Sequence, residues 1–236
     1  MFILFLLASC IKPYVKLSPS YDSSATYEGL LVGSTVDIRD LVAQNNQNAS
    51  PMIASVKYAI LFTGLEPFSE GTHSPLIAYW KDQGFIVETD GERVQRKMSD
   101  REDAVGDVFT KFIGVWHHPE TARRYDPAFA LITKKQRKRV VSELNTEILN
   151  EVFIFSKIDI HERTPWLFLR EPILVVNTVI LDEKGEYLFR SRGVGTGDRS
   201  FLMTDFSENN LNRGFQNALE SISTVEIEVQ ELDVDF

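Results

Sequence analysis

Cysteine is almost absent from this sequence. A single cysteine, Cys10, occurs among 236 residues. An intramolecular disulfide and a cysteine-rich metal site are therefore excluded, because both need more than one thiol. Positive charge is also scarce, since 25 lysines and arginines oppose 34 aspartates and glutamates and the formal net charge is -9. An acidic chain repels phosphate backbones, so we expect no nucleic-acid partner.

Long apolar runs are missing as well. The most apolar stretch, residues 1–8 (MFILFLLA), is far shorter than the ~20 residues that a membrane-spanning helix needs. It fits the hydrophobic region of a signal peptide, which is ~7–15 residues long. Such signals normally open with lysine or arginine, whereas the first one here is Lys12. We therefore expect that the true start codon lies upstream or that the sequence is trimmed.

The residues that end this run carry a resemblance. Leu7-Ala8-Ser9-Cys10 is an apolar residue, two small residues and the cysteine, and it resembles the lipobox of bacterial lipoproteins. The resemblance implies that residues 1–9 are a signal peptide removed before Cys10, and that Cys10 carries thioether-linked diacylglycerol and fatty acids such as palmitate. Ile11, rather than aspartate, after the cysteine implies the outer membrane under the sorting rule of diderm bacteria.

The composition then divides the chain. Residues 10–26 are polar and rich in proline and serine, which predicts a flexible tether behind the lipidated cysteine. Residues 27–236 have ordinary globular composition and are expected to form a single α/β domain. The alternative is that the N-terminal residues form a buried strand and that Cys10 is an inert buried thiol.

Hydrophobic periodicity gives the predicted elements. Apolar residues recur on one helix face over 133–149 and over 205–223, and Pro75 begins a short helix that runs to Gln83. The clearest local signal is a β-hairpin, in which residues 173–181 and 187–192 flank the turn Asp182-Glu183-Lys184-Gly185. Further strands are predicted over residues 27–36, 52–63, 85–88, 108–116, 128–132, 152–160 and 225–236.

These elements predict an α+β (mixed α/β) fold: a mostly antiparallel sheet with helices packed on it, ending in hairpin, helix and strand. The ending resembles the α/β domains of small bacterial envelope lipoproteins that assist outer-membrane or cell-wall assembly. The likeness covers the last third of the chain and includes no diagnostic motif.

No catalytic set emerges from the motifs. Residues 60–68 (ILFTGLEPF) resemble the opening of pyroglutamyl peptidases, but those enzymes need a cysteine nucleophile deep in the chain, and Cys10 lies upstream. His117-His118-Pro119-Glu120 has metal-ligand residue types without the spacing of a zinc site, and we interpret it as a polar loop. The glycines of Gly193-Val194-Gly195-Thr196-Gly197 lack dinucleotide-binding spacing and predict a flexible turn. We expect no catalytic residue, metal or cofactor.

One basic run stands out in the acidic chain. Five of six consecutive residues are cationic and form a candidate anion-binding patch for anionic lipid or a polyanionic partner: Lys134, Lys135, Arg137, Lys138 and Arg139. The alternative is a solvated helix face neutralised by local carboxylates such as Glu143 and Glu147. The three tryptophans, Trp80, Trp116 and Trp166, are expected to belong to the core.

The leading functional hypothesis is a lipid-anchored envelope lipoprotein of the outer membrane, on its periplasmic or external side. Its domain is expected to have a non-enzymatic binding, assembly or structural role, with the membrane and an envelope protein or anionic lipid as partners. The alternative is an envelope hydrolase whose catalytic residues are dispersed. A third hypothesis is a cytosolic protein with a wrongly assigned start. Convergent polar groups in a deep pocket would favour the hydrolase.

Overall fold

A mixed β-sheet organises the part of the chain that the structure, a computed structural model, describes: residues 11–38, 41, 63–65, 67–68, 71–88, 115–117, 134–144 and 150–229. The strands are β1 (Tyr14–Leu17), β2 (Glu28–Asp37), β3 (Ile86–Glu88), β4 (Val115–His117), β5 (Glu151–Trp166), β6 (Leu169–Leu181), β7 (Tyr187–Thr196), β8 (Ser200–Phe201) and β9 (Ile227–Val229). The helices are α1 (His73–Asp82), α2 (Lys134–Leu144) and α3 (Glu208–Ser223).

The strand order is β3-β2-β5-β6-β7-β1-β9, with β4 paired to β2 and β8 paired to β6. The fold is α+β, as predicted, but the expectation of a mostly antiparallel sheet is wrong because the sheet is mixed. Strand β2 pairs in parallel with β3 and β5, and β1 pairs in parallel with β9. Two parallel strands that are neighbours in a sheet need a long connection between them. The alternation of apolar and polar residues is local, so it does not reveal which distant strands such a connection pairs.

The β5–β6 hairpin is the longest pairing in the sheet. Its register runs from Phe153 opposite Leu181 to Trp166 opposite Leu169, with an irregularity after Arg163. Strand β7 stops at Thr196, opposite Ile173. The outer part of the hairpin therefore projects beyond β7, and short β8 pairs with it at Leu169 and Arg170.

Helix α3 covers one face of the sheet. The predicted apolar stripe is buried and packs with alternate residues of β5 and β6 in the main core. Phe68 and Phe215 meet edge to face at 5.9 Å, which joins the TGLEPF segment to this core. The stripe consists of Leu211, Phe215, Ala218, Leu219 and Ile222.

The glycines of residues 193–197 have a packing role that corrects the predicted flexible turn. Residues 193–196, which include Gly193 and Gly195, belong to β7. A Cβ on Gly193 would lie 2.1 Å from the carbonyl oxygen of Ala218, and one on Gly195 would lie 2.1 Å from that of Gly214. The absent side chains let α3 approach β7 backbone to backbone, so these glycines mark a close approach within a strand.

Other predictions are confirmed where the structure describes the residues. The predicted helices correspond to α1, α2 and α3, and the hairpin corresponds to β6 and β7 with Gly185 in its turn at φ 76°. Strand β9 lies at the end of the strand order, as an edge strand should. The predicted strands at 52–62, 108–114 and 128–132, and the helical residues 145–149, lie outside the described residues.

The predicted tether over residues 10–26 needs correction. Strand β1 lies inside the sheet, with Tyr14 to Leu17 paired to β7 on one side and Val15 to Leu17 paired to β9 on the other. Val15 is buried. After β1, Ser24 donates two hydrogen bonds to the Asp22 carboxylate, which forms a tight turn. A four-residue strand that is buried on one face contributes few apolar residues to the sequence. The prolines and serines around it therefore dominate the composition of residues 10–26, which is why a tether was predicted there.

We expect Val15→Asp to lower the melting temperature by more than ~5 °C, because a charge would replace an apolar side chain within a paired strand and cost well over ~1 kcal/mol. Ile11→Asp is the control, since Ile11 is exposed and precedes β1. Thermal unfolding followed by circular dichroism compares the two variants. Equal melting temperatures for both would contradict the placement of β1.

Gly195→Ala should destabilise the domain by about 1–3 kcal/mol, the usual cost of overpacking, because the added methyl group meets the α3 backbone. Gly71→Ala is the matched control, as no atom lies within 4 Å of the place that its added methyl group would occupy. Urea denaturation of both variants measures the difference. If Gly195→Ala is as stable as Gly71→Ala, the close approach of α3 to β7 is refuted.

Candidate functional site

Six large apolar side chains are exposed together at the far end of the β5–β6 hairpin. They are 45–79% exposed, and β8 brings their two chain segments side by side. We call this surface the apolar tip. It consists of Trp166, Leu167, Phe168, Phe201, Leu202 and Met203.

The backbone around the apolar tip is well defined. The Leu202 N–H donates to the Phe168 carbonyl oxygen at 2.7 Å, and the rings of Phe168 and Phe201 lie 6.0 Å apart. Leu202 has φ 66°, a left-handed conformation that bulky side chains rarely adopt. The tip is thus an ordered pair of loops that holds apolar side chains in water at some conformational cost.

Ion pairs brace the hairpin directly behind the tip. Arg163 Nε and Arg199 Nε donate to the two oxygens of buried Glu171, at 2.6 and 2.8 Å. On the other side of the hairpin, Arg170 pairs with Glu162 at 3.1 Å. Burial alone would raise the pKa of Glu171, but hydrogen bonds and charge from Arg199 and Arg163 lower it below its ordinary value.

The apolar tip was not predicted from the sequence, and the expectation that Trp166 belongs to the core is wrong. Trp80 is buried, as predicted, whereas Trp166 is 74% exposed; the side chain of Trp116 is outside the described set. A signal was available at Leu167 and Phe168, which form the two-residue turn between β5 and β6. Such turns usually contain glycine, asparagine or aspartate, so two apolar residues there indicate a use for the exposed surface.

The direction of the strands places the N-terminus relative to the tip. Strand β1 is antiparallel to β7, and Tyr14 pairs with Arg192. Since β5 and β7 both run toward the tip, β1 runs away from it. Tyr14 is level with Asn177, which is eight residues along β6 from Leu169 and four from Leu181. The residues that precede Tyr14 therefore approach β1 from the side that faces the apolar tip.

A second feature is a polar row on the sheet face opposite α3. Lys157 Nζ lies 2.7 Å from Asp159 Oδ1 and 3.2 Å from Asp37 Oδ2. Asn177 donates to Asp159 at 3.0 Å and accepts from Arg192 Nε at 2.9 Å. The Arg192 guanidinium then lies over the Tyr14 ring. The polar row thus joins Asp37, Asp159, Lys157, Asn177, Arg192 and Tyr14 across β2, β5, β6, β7 and β1.

Burial and charge set the protonation of this row. Burial raises the pKa of Asp159 more than the hydrogen bond and charge of Lys157 lower it, and the charge of Asp37 raises it further. Burial would lower the pKa of Lys157, but Asp159 and Asp37 together raise it. The polar groups of the row are hydrogen-bonded or ion-paired to one another, so the row connects five strands and stabilises their register.

The basic run of α2 lies at the opposite end of the sheet from the tip. Arg137 is buried, donates to the Gly185 carbonyl oxygen at 3.0 Å and stacks over Tyr187 at 4.0 Å. Lys134 and Lys138 pair with Glu186, at 2.8 and 3.8 Å. Lys135 and Arg139 are exposed. The structure therefore gives Arg137 a packing role, and the anion-binding patch stays a prediction for the other four residues.

The remaining predicted sites are placed only in part. Cys10 and residues 118–120 lie outside the described residues, and His117 ends β4. Within the described ranges, no group of three or more histidine, cysteine, aspartate or glutamate residues is arranged to hold a metal ion. In the same ranges, no helix has the length and hydropathy needed to span a membrane.

Comparison with known proteins adds no relative: no family model, curated protein or solved structure matches the chain.

Lys157→Gln should lower stability at pH 7 by on the order of 2 kcal/mol, because the buried carboxylate of Asp37 and the partly buried carboxylate of Asp159 lose a charged hydrogen-bond partner. Without Lys157, the folded pKa of Asp159 should rise further above its unfolded value. A carboxyl group whose pKa is raised in the folded state stabilises the fold at low pH. This stabilisation is lost as the pH rises through the folded pKa. The deficit should therefore shrink between pH 7 and pH 4.

Urea denaturation across this pH range measures the deficit. Arg213→Gln is the control, since it breaks the exposed ion pair with Asp198 and should change stability by less than ~1 kcal/mol. A deficit for Lys157→Gln that is constant with pH would contradict the electrostatic role of the polar row.

Proposed function

We propose that the chain is a bacterial envelope lipoprotein, anchored in the outer membrane by lipid on Cys10, whose folded domain has a non-enzymatic binding or assembly role. The proposal begins with the resemblance of Leu7-Ala8-Ser9-Cys10 to a lipobox. One structural observation supports it most: β1 begins four residues after Cys10, and its antiparallel pairing with β7 means that the chain enters it from the side that faces the apolar tip.

The distances make this arrangement workable. Tyr14 pairs with Arg192, which pairs with Asn177, eight residues along β6 from Leu169. At 3.3 Å per residue, Tyr14 lies about 26 Å behind Leu169 along the strands. The four residues from Cys10 to Tyr14 can span at most ~14 Å. A lipid on Cys10 is therefore attached at least ~12 Å behind Leu169, so the lipid and the tip reach one bilayer with the sheet inclined to the membrane.

In the same orientation, the α2 end of the domain faces away from the membrane and is available to a partner. Arg137 holds α2 against Gly185, at the turn between β6 and β7, which is the end away from the tip. The exposed lysines Lys135 and Lys138 then face away from the bilayer that holds the lipid. We therefore propose an acidic envelope protein, rather than the lipid of the anchoring membrane, as the partner of this end.

Lipidation is tested by metabolic labelling with a fatty-acid analogue in a bacterial host. Wild type should be labelled and recovered in the membrane fraction, whereas Cys10→Ala should lose the label because it removes the chain's only thiol. Ser9→Gly is the matched control, since it keeps a small residue before the cysteine and should remain labelled. Equal labelling of wild type and Cys10→Ala would refute the proposal.

A further inference from the structure

We propose that the apolar tip is a membrane-inserting element, which enters the headgroup and upper acyl region of the bilayer while the rest of the domain stays outside. The inference rests on the proposed function for the presence of a bilayer beside the tip. It goes beyond that function because a lipid on Cys10 requires no contact between the folded domain and the membrane.

The shape of the tip suits a lipid surface. Among the described strands, only β5 and β6, with short β8 beside them, extend past the end of β7 at Thr196. Within the described part of the chain, the apolar side chains therefore stand on a projecting end of the sheet. A bilayer accepts such a convex apolar projection by local displacement of headgroups, whereas a protein partner would need a matching pocket.

The residue types support the same occupant. The projecting turn presents Trp166 beside Leu167 and Phe168, and the second loop presents Phe201, Leu202 and Met203. Tryptophan is enriched at the membrane–water interface, where its ring is apolar and its N–H is polar. Clustered leucine and phenylalanine supply the apolar area that determines how strongly an interfacial element binds.

Three arginines behind the tip present their charge outward, beside the exposed carboxylates of Asp198 and Asp205. Arg163 and Arg199 are 50% and 58% exposed, while the Glu171 side chain that they share is 2% exposed. Arg170 is 33% exposed, and its partner Glu162 is 6% exposed. These guanidinium groups present their remaining N–H donors to solvent just behind the apolar residues, at the depth where lipid phosphates lie when the tip is inserted.

The N-terminus points to the same membrane. Because the chain enters β1 from the side that faces the tip, a lipid attached before it and the apolar tip can contact one bilayer at two places when the sheet is inclined. A lipid anchor on the same domain raises the effective concentration of the tip at the bilayer. A tip with only a modest apolar area is therefore enough for stable contact.

The test uses the full lipidated chain in vesicles of phosphatidylcholine and phosphatidylglycerol that contain lipids brominated on the acyl chain. Bromine quenches tryptophan only at close range. The protein carries Trp116→Phe throughout, and Trp80 is buried within the domain, so the component of emission that is quenched should come from Trp166. We expect this component to disappear in Trp166→Phe.

The variant Leu167→Asp/Phe168→Asp tests insertion itself. We expect quenching of Trp166 to fall at least tenfold toward the level in lipid-free buffer. The matched control is Ile227→Asp/Val229→Asp, which places the same charges at two exposed apolar positions of β9 and should leave quenching unchanged. If the tip variant also lowers the melting temperature, Leu167→Asp alone keeps the test valid, because Leu167 is the most exposed tip residue.

Three results would overturn the inference. Trp166 emission that brominated lipid does not quench would show that the tip stays in water or on a protein. Equal quenching in the tip variant and the wild type would show that the tip residues do not carry the contact. A shift of Trp166 emission with protein concentration in the absence of lipid would assign the tip to a second copy. Failure of Cys10 lipidation is detected separately, by the labelling experiment.

Discussion

The antiparallel pairing of β5 with β6 is the constraint on which the rest of this structure depends. This hairpin supplies the centre of the sheet, one wall of the core beneath α3, and half of the polar row on the opposite face. Because it is longer than the strands beside it, its end projects from the sheet. The same hairpin thus both organises the folded domain and carries three apolar side chains beyond it, beside which β8 and the loop after it place three more.

Local sequence patterns predicted the elements much better than their connections. The stripe from Leu211 to Ile222 identified α3, and the turn at Gly185 identified the β6–β7 hairpin, since both signals arise within a few residues. The parallel contact of β2 with β5 joins segments more than a hundred residues apart. The polar row likewise draws one or two residues from each of five strands, so no contiguous motif exists to reveal it.

The apolar tip was predictable in principle, because Leu167 and Phe168 occupy a turn in which polar residues or glycine are usual. Its second half, around Phe201, could not be found from sequence, as it becomes adjacent only through the pairing of β8 with β6. The strict glycine requirement at Gly195 was hidden for a similar reason, since it depends on the backbone of α3. In both cases the missing information was the identity of the neighbour in space.

In the proposed orientation, the tip end of the sheet faces the bilayer and the α2 end faces away. Amide hydrogen exchange, measured for the lipidated protein in vesicles and in detergent-free buffer after removal of the lipid anchor, tests this orientation most directly. We predict that the membrane slows exchange at residues 164–170 and 200–204 and leaves the turn at 182–186 unchanged. Slower exchange at 182–186 with no change at the tip would contradict the proposed orientation.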